Sequence, residues 1–192
     1  STIITPNGRI FSNKKFVDSI PFQKSALLDE KITIAKDDDQ NIWLARRYNV
    51  LCYYKKSGYK NYSTYKFNQN PKTIYSDRDN TIWLSLGKNA FHNSKLYCIK
   101  NGKITLIAIF KSNLNYIIQY DNQTFYFGTE NGLFKYDKNT RKLNFVKGTE
   151  NINIRSIFID HEKKIWLTTY EKGFFLYSSE RNHLHSFPKD ED

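Results

Sequence analysis

A chain of 192 residues carrying 31 Phe, Tyr and Trp side chains is one domain's length with enough apolar material to fill a core, which argues against disorder. Its formal charge of +11 invites nucleic acid, but the 30 basic residues divide as 5, 8, 6, 6 and 5 over residues 1–31, 32–72, 73–116, 117–156 and 157–192. A phosphate-tracking stripe needs clustering, so no nucleic-acid partner is expected, and the 20 Asn and 23 Lys read as a solvated surface. The richest apolar run, Ile104 to Phe110, is far short of the roughly 18 residues of a membrane helix, so the chain is read as not itself membrane-spanning. It opens at Ser1 without a Met or a signal-like segment and is expected to be processed or cut from something longer.

In chain order, Asn7-Gly8-Arg9-Ile10-Phe11 resembles a turn and strand that recur more clearly downstream, and residues 1–31 are read as a partial or degraded repeat. Four clearer copies follow, at 32–72, 73–116, 117–156 and 157–192. Their aromatic strands, Ile42-Trp43-Leu44, Ile82-Trp83-Leu84, Phe125-Tyr126-Phe127 and Ile165-Trp166-Leu167, put a ring at 43, 83, 126 and 166, spaced by 40, 43 and 40 residues. An Asp stands six residues before three of these rings (Asp37, Asp77, Asp160) and five before the other (Asp121). Before each aromatic strand a shorter one alternates apolar and polar residues, as at Ile32 and Ile34 or Ile157 and Ile159, and a polar turn joins the two into a hairpin. A third strand carries Tyr53, Tyr136 or Tyr177, and a fourth ends near Phe67, Phe145 or Phe187. The second copy enlarges one loop, Gly87 to Ser94, and has Ile99 in place of the Tyr. No helical periodicity competes.

Four antiparallel strands in each unit of about 40 residues predict an all-β fold, a β-propeller of four clear four-stranded blades plus a degraded N-terminal one. A lone four-stranded sheet cannot cover both its faces, so blades stack about an axis. The rings at 43, 83, 126 and 166 are expected to wedge between adjacent blades, and each Asp to hold the turn backbone in an Asx manner.

These residues resemble the two-component regulator propeller repeat, found in the extracytoplasmic sensor regions of Bacteroidetes-type hybrid histidine kinases. Phe127-Gly128-Thr129-Glu130-Asn131-Gly132-Leu133-Phe134-Lys135-Tyr136 follows the family pattern closely, and Ile157 to Thr169 nearly so. The turn glycine of that pattern is replaced by Gln40, Asn80, Gln123 and Lys163, and the first two copies have Ala45-Arg46 and Ser85-Leu86 for its Gly-Thr pair. The resemblance implies a periplasmic or extracellular location and a ligand-sensing or signal-relaying role, with oligosaccharides or a partner chain as the stimulus. Propellers of such sensors look like seven-bladed rings, so the chain is expected to be a segment of a larger ring, in contact with other segments of the same sensor or with a partner protein. A rigid docking scaffold is the alternative reading.

Candidate chemistry is sparse. Cys52 and Cys98 fall at equivalent places on the third strands of neighbouring blades, too far apart for a bridge, and are expected to be free, buried thiols. Of four histidines only His183 and His185 are close in sequence, too few for a metal site. Ser76 to Trp83 resembles the Asp box of sialidase-type propellers, but Arg78 stands where its Asp belongs, and no carboxylate pair supports a hydrolase or lyase. No catalytic residue, cofactor or metal is expected. Binding is, and the loops between second and third strands should return to the face where first strands begin. The candidates there are Arg46, Arg47 and Tyr48, then Lys88 and His92, then Glu130 and Tyr170, suited to an anionic or polyhydroxylated ligand.

Overall fold

The structure is a computed structural model and describes residues 2–4, 9–12, 15–19, 33–46, 48–87 and 93–187. Its first strands, β1 (Thr2–Ile4), β2 (Arg9–Ser12) and β3 (Lys15–Ser19), form a three-stranded antiparallel sheet. Arg9 to Phe11 lie on the middle strand. Four four-stranded antiparallel sheets follow, each a meander of consecutive strands. They are β4 to β7 (Thr33–Lys36, Ile42–Arg46, Asn49–Tyr53, Tyr62–Lys66) and β8 to β11 (Asn70–Ser76, Ile82–Gly87, Ser94–Lys100, Lys103–Phe110), then β12 to β15 (Leu114–Gln119, Thr124–Thr129, Gly132–Asp137, Lys142–Phe145) and β16 to β19 (Ile154–Ile159, Ile165–Thr169, Phe174–Ser178, His183–Phe187). First strands β4, β8, β12 and β16 pack successively against one another, so the sheets fan out from a common axis. This is the propeller arrangement. The helical content of the described residues is one 3-10 turn, Lys55–Ser57, closed by Gly58 at φ 64°.

Hydrophobic clusters lie between sheets. Trp43 packs with Ile74, Ile82 and Ile99 of the next sheet, Trp83 with Phe125, Phe127 and Tyr136, and Tyr126 with Ile157, Ile165 and Tyr177. The Trp83 and Phe125 rings are 4.5 Å apart and tilted, a contact that adds to the burial of both. Trp166 departs from the expected wedge. No later sheet covers it among the described residues, so it is half-buried and stacks on Phe187 of its own sheet at 5.8 Å. Phe158 and Phe174, 63% and 56% exposed, share that open face with it, because Phe158 pairs with Trp166 and the two phenylalanines sit at same-face positions of the register.

The Asp-to-Trp spacing has a fuller explanation than an Asx turn. Asp37, Asp77 and Asp160 each accept a backbone N–H four residues on through Oδ1, and each accepts the indole Nε1–H of its Trp through Oδ2, at 2.8, 2.9 and 2.9 Å. One carboxylate therefore ties the turn to the ring that fills the wedge. Asp121, five residues before a ring with no N–H, accepts from the backbone at 123 and 124 and from the Thr124 side chain, and has no indole to tie. The longer turns need a left-handed residue after their i to i+3 bond, and Gln40, Asn80 and Lys163 supply it at φ 65°, 55° and 63° without being glycine. Gln123, in the shorter turn, is not left-handed.

Adjacent sheets are also stitched by polar bonds. Lys138 reaches back one sheet to Asp77 Oδ2 at 3.0 Å and Asp79 Oδ2 at 2.5 Å, Asp38 N–H donates to Asn80, and Arg78 N–H to Gln119. The hydrogen bond to Lys138, with its charge, holds the Asp79 carboxyl below its usual range. Gly128 lies so close to β16 that a Cβ there would sit 2.7 Å from Ile154 Cγ2. Thr129 caps the β13–β14 turn, donating to Gly132 O and accepting from Asn131 N–H, and Thr169 does the same for Gly173 and Lys172. The Gly-Thr pair thus combines close sheet approach with turn capping. Cys52 and Cys98 pair across the strands from Trp43 and Trp83 and are both free. Cys98 is only half-buried, a correction to the expectation of two buried thiols: Cys52 lies within the cluster between its sheet and the next, whereas Cys98 packs only against the margin of its own.

Candidate functional site

The first strands of three sheets begin with a β-bulge. Register shifts fall between Pro71 and Thr73, Leu114 and Tyr116, and Ile154 and Ser156, each opposite the residues two and three places after the ring of the second strand (Trp83, Tyr126 or Trp166). The extra residue in each case is Lys72, Asn115 and Arg155. A bulge leaves its extra residue out of the ladder and re-aims its side chain, so three equivalent residues of successive blades are turned out of the regular alternation. The strands accordingly start at Asn70, Leu114 and Ile154, three residues before the repeat units as read at 73, 117 and 157. Alternation read from Thr73, Ile117 and Ile157 onward stops at the bulge and misses the residues ahead of it.

Lys72, Asn115 and Arg155 converge on one cleft of about 230 Å3, with Asn113 and Leu114 completing its lining. Asn115 is fixed by donating from Nδ2 to Ile154 O at 2.9 Å and Asn153 Oδ1 at 3.3 Å. The Arg155 guanidinium lies 5.6 Å from the centroid of the Tyr170 ring, a cation–π contact that orients it. Neither Lys72 nor Arg155 makes an ion pair with a described residue. Two cations thus face one polar cleft unneutralised.

The candidate residues from the loops divide. Glu130 N–H donates to Asn113 O and Tyr170 N–H to Asn153 O, so both loops return to the start of their own first strand, beside the cleft. The Glu130 carboxylate is committed to Asn113, accepting from its backbone N–H at 3.3 Å and its Nδ2 at 3.0 Å. It serves to hold the strand entry. Tyr170, 66% exposed, is the platform under Arg155. Arg46 ends β5 half-buried, and Tyr48 is exposed at the tip of the β5–β6 turn, its carbonyl accepting from Phe67 N–H. Arg47, Lys88 and His92 lie outside the described residues. The structure therefore brings Glu130 and Tyr170 to the cleft's border and adds Lys72, Asn113, Asn115 and Arg155. A polar residue at the same offset in three first strands, Lys72, Asn115 and Arg155, was the signal in the sequence, visible only once the bulge was known.

A second cavity of about 390 Å3 lies at the β16–β17 and β18–β19 turns, lined among others by Tyr120, Lys163, Glu180, Arg181, His183 and His185. The His185 ring is packed edge-on against Phe187 at 4.6 Å. No group of three or more His, Cys, Asp or Glu that could hold a metal occurs among the described residues, and no helix among them is long and apolar enough to cross a membrane.

No protein-family model matches the chain, and neither does any curated protein. Solved structures do. The extracellular domain of the hybrid two-component system BT4673 from B. thetaiotaomicron superposes with a TM-score of 0.73 at 19% identity, over 98% of this chain and 26% of that one. That of BT3049 from the same organism gives 0.69 at 17% identity, over 96% and 28%. Virginiamycin B lyase from Staphylococcus aureus gives 0.72 at 15% identity, over 100% and 70%. This chain spans about a quarter of the length of the two-component structures it matches. Its fold is shared with part of the extracellular domains of those hybrid two-component systems, and its fanned four-stranded sheets are those of a β-propeller, as the repeat resemblance led one to expect.

Proposed function

We propose that the chain is a sensing segment of an extracytoplasmic two-component-type regulator, binding a polar ligand on the axial face where its first strands begin and relaying occupancy through the stacked blades. The convergence of bulge residues from three successive sheets on one cleft supports this reading most. A ligand gripping Lys72, Asn115 and Arg155 would touch three blades at once, so its binding energy acts on how the sheets are disposed about the axis. Oligosaccharides are the ligand class that suits a small, open, amide-lined cleft beside an exposed aromatic ring. The likeness to two-component extracellular domains supports a sensor setting.

The test is a thermal-shift screen of acidic and neutral oligosaccharides against the whole chain. A ligand at 100 times its Kd adds about 2.7 kcal/mol of stability, a shift of several degrees for a protein of this size. Absence of a shift with every glycan would instead support a docking scaffold.

A further inference from the structure

The pair of unneutralised cations in the bulge cleft narrows the chemistry. We infer that Lys72 and Arg155 form an oxyanion subsite that recognises a carboxylate or sulfate group carried by the ligand; this rests on the axial cleft being the binding face.

Three observations carry the inference. First, the two side chains stand at the same bulge position of β8 and β16, on either side of Asn115 from β12, and all three line one cleft. Each follows a buried apolar residue of its strand, Pro71, Leu114 or Ile154, and is itself turned toward solvent, Lys72 and Asn115 half-buried and Arg155 exposed.

Second, the cleft has been cleared of competing acid. Glu130, the carboxylate bonded to the cleft residue Asn113, is turned onto the Asn113 backbone and side-chain N–H groups and is absent from the lining. No Asp or Glu among the described residues lines it. Lys138, paired with Asp77 and Asp79, and Lys164, paired with Glu162, show what a cation does beside a carboxylate, and no such carboxylate pairs with Lys72 or Arg155 among the described residues.

Third, the donors are oriented. Arg155 rests on Tyr170, which leaves the edge of the planar guanidinium available for paired N–H donation to two oxygens of one group, the geometry a carboxylate or sulfate presents. The Lys72 chain runs past Gly87 of its own sheet, its Cε 3.7 Å from where a Cβ would be, and supplies a point charge from the far side of Asn115. An oxyanion held by both would bridge first strands of non-adjacent sheets across Asn115.

The experiment is isothermal titration of the whole chain, at constant ionic strength in chloride, with oligogalacturonate, a sulfated disaccharide, their neutral counterparts, sodium sulfate and sodium phosphate. Lys72→Gln and Arg155→Gln are compared with Lys142→Gln, an exposed lysine on β15. The inference expects an acidic saccharide to bind, and each cleft substitution to weaken it by about tenfold or more, the usual loss for a hydrogen bond to a charged group. Lys142→Gln should change nothing, and circular dichroism should confirm that all variants fold. Inorganic sulfate or phosphate binding as tightly as the saccharides, with the same sensitivity, would support the subsite and identify a free oxyanion as its source. Neutral saccharides binding as well as acidic ones, or binding that ignores both cleft substitutions, would overturn the subsite while leaving a glycan-sensing face intact. Binding of no saccharide and no oxyanion would overturn the subsite and the sensing face together.

Discussion

Replacing Asp77 by Ala should be among the most damaging single substitutions on the surface-facing turns, and the reason can be worked out bond by bond. Its carboxylate, 2% exposed, accepts from Asp79 N–H, Thr81 N–H, Trp83 Nε1–H and Lys138. Asp79 N–H can turn to water, and Lys138 keeps its second partner, Asp79. Thr81 and Trp83, each 2% exposed, cannot be hydrated. Two buried donors left without acceptors cost about 1–3 kcal/mol each, so the sum is about 2–6 kcal/mol. The same substitution at Asp160 removes the same three kinds of bond, but Lys164 is exposed and Trp166 half-buried, so water replaces the acceptor and the loss is about 1 kcal/mol. Urea denaturation followed by Trp fluorescence measures both. Losses at Asp77 and Asp160 that agree within about 0.5 kcal/mol would refute burial of the indole bond as the cause.

Gln40→Gly should raise stability by about 0.5–1 kcal/mol, because it relieves a left-handed residue at φ 65°, whereas Gln123→Gly, in a turn that needs no such residue, should lower it; chemical denaturation of the two variants decides. Gly128→Ala pushes a methyl against Ile154 and should cost about 1–3 kcal/mol in the same assay. Burial, then the nearby Asp37 charge, pushes the Cys52 thiol up to about 12, so below pH 9 its protonation favours neither state. Above pH 9 the unfolded chain loses this proton and the folded chain keeps it, so stability falls by up to about 1.4 kcal/mol per pH unit until pH 12. Cys52→Ala should flatten that part of the stability profile relative to the parent. Phe158→Ser with Phe174→Ser should leave stability within about 0.5 kcal/mol, since both rings are more than half exposed, and should reduce binding of a hydrophobic dye.

The repeat was readable along the chain because a propeller blade is a local object. Each meander pairs consecutive strands, so the period of 40 residues, the rings at 43, 83 and 126 and the paired turn carboxylates are all set by near neighbours in sequence. The substituted turn glycines were visible too, and their left-handed backbone follows from the i to i+3 bond that precedes them. Even the shorter step from Asp121 to Tyr126 foretold the turn that lacks an indole partner.

What tertiary structure decided was which polar residues are spent and which are free. Glu130 and Tyr170 looked like ligand contacts in the chain, yet one is bound to Asn113 and the other carries Arg155, because both depend on the entry of a strand 15 to 17 residues away. Lys72, Asn115 and Arg155 meet only because the sheets fan about an axis and their three first strands bulge at the same step, and a bulge leaves no mark on apolar alternation. The exposed Phe158, Trp166 and Phe174 face likewise follows from position in the stack, since the same pattern of residues is buried wherever another sheet lies against it. Strand pairing is dictated by neighbours in the chain, whereas convergence and burial are dictated by blades some 40 residues apart.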